Sequence, residues 1–217
     1  MKNIILFIAA TCISLSAFAQ QKLPPGIKKL ENGDLQVDDI ILRVKQRELA
    51  FPAKFELQEG ALEVIISKPD GRLHETLLVT KSSALQIQTL LYLLDANNGP
   101  RLKAQFEKQG DIVDIDIEWK DDEGKSHRDP IESWIACNKT GKPMPRIGWV
   151  FVGSTIQNGV FQADAEGNIV INWSVGATVL DSPDPDSEDD TLHSVYIGKK
   201  QPVKYPDVTI VIVPRKK

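Results

Sequence analysis

Thiols and imidazoles are scarce in this 217-residue chain, which has two cysteines and three histidines. One of the cysteines, Cys12, lies in an apolar stretch that reads as a cleavable leader, so processing leaves Cys137 as the single thiol. A one-thiol chain forms no internal disulfide and cannot by itself supply the several thiolates that an iron–sulfur cluster or a cysteine-type zinc site needs. Basic residues are outnumbered by acidic ones, 26 against 30, and the only basic cluster is the tail Arg215-Lys216-Lys217. This balance gives no reason to expect nucleic acid or anionic lipid as a partner. Also missing are a G-x-G-x-x-G or P-loop cradle, a G-x-S-x-G elbow around Ser154, internal repeats and coiled-coil heptads.

The segment Met1-Lys2-Asn3, the apolar run Ile4 to Ala10 and the A-x-A ending Ala17-Phe18-Ala19 have the order of a secretory signal peptide. Thr11, Ser14 and Ser16 interrupt the run before the roughly 20 apolar residues a membrane span requires. The expected product is a periplasmic or secreted protein cleaved after Ala19, with no integral membrane span after processing. An N-terminal extension then covers 20–39, and one globular domain covers 40–214, a size that buries one core.

Strand patterns dominate. Ile40 to Val44 and Leu49 to Leu57 read as a meander. Leu62 to Ile66, the turn residues Lys68-Pro69-Asp70-Gly71 and Leu73 to Thr80 read as a hairpin. Val113, Ile115, Ile117 and Trp119 alternate with Asp114, Asp116 and Glu118, as on a strand with one wet face. Further strands fall at Gly148–Ser154, Asn168–Asn172 and Val208–Val213. Ser83 with Gln86 makes a capping box opening a helix in which Ala84, Ile87, Leu90, Leu91 and Leu94 repeat at helical spacing. Pro130–Ala136 has the character of a second, shorter helix. The fold class expected is therefore α+β, a mostly antiparallel sheet with one main packed helix near 83–95. The acidic stretch Asp181 to Asp190 reads as a disordered or weakly cation-binding loop, since it lacks the Gly and terminal Glu of an EF-hand.

His74-Glu75 has the opening of an H-E-x-x-H zinc motif, but Leu78 stands where the second His is required. On a strand the two side chains would face opposite sides of the sheet, and His74 would make a structural hydrogen bond. The carboxylates Asp114, Asp116 and Glu118 on one strand face would stand roughly 6.5–7 Å apart, a spacing suited to a solvated face. Cys137 as a nucleophile would need a base, and His127 is the nearest His in sequence; an inert thiol is the simpler reading. Trp134, Trp149 and Trp173 are candidates for a ligand platform or for the core.

The stretches "RELAFPAKFEL", "LEVIISKPDGRLHETLLVTKSSALQIQTLLYLL", "DIDIEW", "WVFVGS", "VLDSP" and "VTIVIVP", in that order, resemble the YdjY-domain family of bacterial exported proteins over about Ile41 to Pro214. The resemblance implies an envelope protein without an activity to carry over. It also marks two departures, Gln88 where relatives have His and Ser67 where they have Cys. The functional expectation is a non-catalytic binding or interaction module with no cofactor and no metal. Its partner would be an envelope protein or small ligand, and His74, Glu75, Trp149 and Ser154 are its candidate binding residues. A hydrolase using His74 as general base and a purely structural envelope protein are the alternatives.

Overall fold

The structure, a computed structural model, describes residues 26–99, 109–174, 176–199, 201 and 207–215. The signal peptide expected over 1–19 therefore falls outside the described residues. Among those described, no helix is long and apolar enough to cross a membrane.

Eight strands close into a barrel: β1 (Glu48–Phe55), β2 (Val64–Ser67), β3 (Thr76–Val79), β4 (Ile112–Lys120), β5 (Trp149–Phe151), β6 (Asn168–Ile171), β7 (Leu180–Asp181) and β8 (Asp207–Pro214). The circuit runs β1–β8–β4–β5–β7–β6–β2–β3 and returns to β1 through the pairs Lys54 with Val79 and Phe55 with Leu78. Closure removes the open edges that an unclosed sheet would expose. An N-terminal meander, Ile27–Lys29, Leu35–Val37 and Ile40–Arg43, adds to β1 from outside. Pro52 sits where the partner of β1 changes from the meander at Ala50 to β3 at Lys54, a natural place for a residue with no N–H to give a ladder.

The expected α+β fold is thus replaced by a mostly β one, 40% strand and 13% helical. The period-2 patterns identified the strands, but barrel closure depends on pairings between distant segments that no local pattern carries. The alternation in β4 holds: Ile115 and Ile117 pair with Ile212 and Ile210, which pair in turn with Leu49 and Phe51, and these six are at most 1% exposed. They form stacked layers of the barrel interior.

The hairpin expected at 62–80 does not form. β2 and β3 are parallel, with Val64 opposite Thr76, and the connection ends in a 3₁₀ turn at Leu73–Glu75. Parallel neighbours joined by so short a link are possible because each strand has only four residues, about 13 Å of chain. A close approach makes room for the return: a Cβ on Gly167, whose φ is +75°, would lie 2.7 Å from the Cα of Gly71.

The helix expected near 83–95 is present as α1 (Ala84–Leu93), with Ser83 as its N-cap. It crosses one end of the barrel, where β1 begins and β5 ends. Arg47 donates to the Leu94 carbonyl at 2.7 Å, and Gln88 exchanges two hydrogen bonds with the Ser154 backbone. A short helix, α2 (Gln162–Glu166), stands beside it. Its Asp164 accepts from the Ala84 and Leu85 N–H groups and from Lys68 Nζ. Burial alone would raise the Asp164 carboxyl, but these donors more than offset it and hold the group below the usual carboxylate range.

The opposite end is plugged by a 3₁₀ turn, Ile131–Trp134, where a second helix had been expected. Trp134 packs 5.6 Å from Phe55 and 6.1 Å from Trp119, with Lys199 Nζ 3.7 Å from its ring centre. A three-stranded sheet of Lys142–Pro143, Ile135–Cys137 and His193–Val195 flanks this end.

Candidate functional site at the barrel rim

Three strand ends meet at the plugged end. Because β2 and β3 are parallel and β6 runs antiparallel to β2, Glu63 just before β2, Glu75 just before β3 and Trp173 just after β6 share one rim. The backbone fixes them: Glu63 N–H donates to the Glu75 carbonyl at 3.1 Å, and the Asn172 and Trp173 N–H groups both donate to the Glu63 carbonyl, at 2.8 and 3.0 Å.

The Glu63 and Glu75 side chains stand together at this rim, both about 15% exposed or less. Burial, then the hydrogen bond and charge of Glu75, push the Glu63 carboxyl up to about 7 against the pull of Arg72. The Glu63 carboxyl is therefore partly protonated near neutrality. Arg72 Nη1 lies 3.1 Å from Glu63 Oε2 and 3.6 Å from Glu75 Oε1, and the guanidinium stands 5.6 Å from the Trp173 ring centre. A pocket of about 470 Å³ opens beside Glu63, lined also by Asn138, Asp190, Thr191 and Ser194.

His74 and Glu75 are the two candidate residues that the fold brings together, and in a way the strand reading did not anticipate. The 3₁₀ turn replaces opposite-face geometry, with Glu75 turned inward and the His74 side chain 81% exposed. His74 Nε2 is 3.6 Å from Glu75 Oε2, an ion-pair distance longer than a hydrogen bond, so the structural hydrogen bond expected of His74 is absent among the described residues. Trp149 is fully buried at the start of β5, with its indole N–H unpartnered among the described residues. Ser154 lies at the helix-capped end, 4% exposed, its Oγ accepting from Ala163 N–H. The four residues do not share one surface. Ser67 and Gln88 also lie at the helix-capped end, separated from His74 by the length of β2.

The acidic row is not a set of free carboxylates. Arg43 grips Glu118 with two bonds of 2.7 and 2.8 Å, Arg128 bridges Asp116 and Glu48 at 2.9 Å each, Arg146 reaches Asp116 at 2.8 Å and Arg215 reaches Asp114 at 2.8 Å. The acidic loop is not disordered either: Ser174 Oγ bonds Asp181 and Ser187, and the Trp173 indole donates to the Glu188 carbonyl. Among the described residues no group of three or more His, Cys, Asp or Glu is arranged to hold a metal ion.

Sequence reasoning missed Glu63, Arg72 and Asp190 as site residues. Their one local signal is that Glu63 and Glu75 each immediately precede an apolar strand, which matters only once the strands are known to be parallel. No family model matches the chain, and neither a curated protein nor a solved structure matches it at a significant level.

Proposed function

We propose that the chain is an exported envelope protein related to the YdjY-domain family, and that it acts as a non-catalytic binding module through the rim pocket. The observation that carries the reading is the Glu63 carboxyl at the wall of that pocket, pushed up to about 7 by burial and by Glu75 beside it. The pocket lining combines carboxylates at Glu63 and Asp190 with amide and hydroxyl groups at Asn138, Thr191 and Ser194, and contains no Lys or Arg. Such a lining suits a ligand rich in hydroxyl groups that carries an amine, as an amino sugar does, and disfavours small acids. The volume falls within the ordinary range for small-ligand pockets, roughly 300–1,000 Å³.

Thermal denaturation with glucosamine oligomers, neutral glucose oligomers and small carboxylic acids tests this. The amino-sugar oligomers should stabilise the chain by about 2.7 kcal/mol at a hundred times Kd. Asp190→Asn should weaken the effect. No shift with any amino sugar overturns the proposal.

A further inference from the structure

Arg72 is held at the rim by contacts that a free organic cation would make equally well. Its Nη1 lies 3.1 Å from Glu63 Oε2 and 3.6 Å from Glu75 Oε1, and its guanidinium stands 5.6 Å from the Trp173 ring centre. Two carboxylates and an indole face are the parts of a cation site: the carboxylates supply charge, and the ring face adds a cation–π attraction. The walls are fixed more firmly than the side chain between them. Glu63 and Glu75 are tied by the Glu63 N–H to Glu75 carbonyl bond, and Trp173 by its own N–H on the Glu63 carbonyl and its indole N–H on the Glu188 carbonyl. The Arg72 side chain is 37% exposed, against 15% for Glu63 and 14% for Glu75. Its backbone carbonyl accepts from Glu75 N–H and Thr76 Oγ1, so the side chain can swing outward while the turn stays in place. His74, 3.6 Å from Glu75 Oε2, and Asp190, whose charge reaches Glu63, also stand near.

We infer that Arg72 fills, from within the chain, an organic-cation subsite beside the rim pocket. A ligand's ammonium or guanidinium group enters it by taking Arg72's place between Glu63, Glu75 and the Trp173 face. Resting on the rim pocket proposed above, this places the ligand's positive group. Glu63 borders both the pocket and the subsite, so one ligand can reach both. The ion pairs and the ring contact of a partly exposed Arg72 are individually weak, so a charged ligand displaces it at little cost. An uncharged ligand gains nothing there in return, and Arg72 thereby selects for cations.

The probe is ethylguanidinium chloride at about pH 9, where the probe is charged and Glu63, its carboxyl pushed up to about 7, is ionised. Sodium chloride at equal concentration controls for ionic strength. In calorimetric titrations of the full chain, Arg72→Gln should bind the probe about tenfold more tightly than the parent does, because no internal cation competes. Arg72→Gln/Trp173→Leu should lose most of that gain. Equal affinities of the parent and Arg72→Gln overturn the inference, as does a gain that survives removal of the Trp173 ring. If Arg72→Gln fails to fold, the Arg72 Nε–H signal in the NMR spectrum of the parent decides. It should move on saturation with ethylguanidinium, and a signal that stays in place overturns the inference. Glucosamine oligomers without effect on the melting temperature overturn the rim-pocket proposal alone, and the subsite then stands or falls on ethylguanidinium.

Discussion

Glu63 and Glu75 lie side by side because the strands they precede run parallel, and the Glu63 N–H is bonded to the Glu75 carbonyl. Both carboxyls lie within reach of Arg72, and burial, then the neighbouring Glu75, favour the protonated form of Glu63.

That arrangement makes stability pH-dependent in a definite direction. The folded value for Glu63, about 7, lies above the usual carboxylate value, so its contribution is complete below the unfolded value and is lost as pH rises through the folded one. The melting temperature should fall between about pH 4.5 and pH 7 from this source, and Glu63→Gln should flatten the curve over that window. Thermal unfolding followed by circular dichroism across pH reads both.

Asp164 caps α1 from another helix and gives the opposite sign. Its carboxyl is held low, so its contribution is present above the unfolded value and is lost as pH falls through the folded one. Asp164→Ala should cost about 2 kcal/mol in urea unfolding at neutral pH, and less in acid.

Glu132 is 1% exposed; Oε1 accepts from Gly148 N–H at 3.3 Å, while Oε2 has no partner among the described residues. Burial raises the carboxyl, so the fold favours its protonated form, and stability should decline as pH rises through the folded value. Glu132→Gln should keep the shape without the charge and hold its melting temperature at alkaline pH, where the parent loses some of its own.

Arg128 bridges Glu48 and Asp116, which are 5% and 7% exposed. Arg128→Met should destabilise the chain by about 2 kcal/mol, because it leaves Glu48 with Arg43 alone and Asp116 with Arg146 alone. Urea unfolding of this variant beside Glu48→Gln/Arg128→Met, in which one of those charges is also removed, should show part of the loss recovered.

Local features were legible in the sequence. The Ser83 cap, the meander around Leu49 and the alternation from Val113 to Ile117 rest on neighbours within a turn or a strand. What depends on distant pairing was not. The turn residues Lys68-Pro69-Asp70-Gly71 fit a hairpin and a parallel return equally well, and that choice decides whether Glu63 meets Glu75. In the same way His127, nearest to Cys137 in sequence, instead stacks on Trp119 at 4.6 Å and bonds Asp121, while the distant His193 lies opposite the thiol.

The account depends most on the raised Glu63 carboxyl at the rim. Isotope-edited carboxyl NMR of the folded chain, titrated with and without a glucosamine oligomer, tests it directly. The account predicts that the Glu63 carboxyl titrates near about 7 and shifts when the oligomer binds. A Glu63 carboxyl that titrates near about 4.3, unmoved by the oligomer, would contradict it.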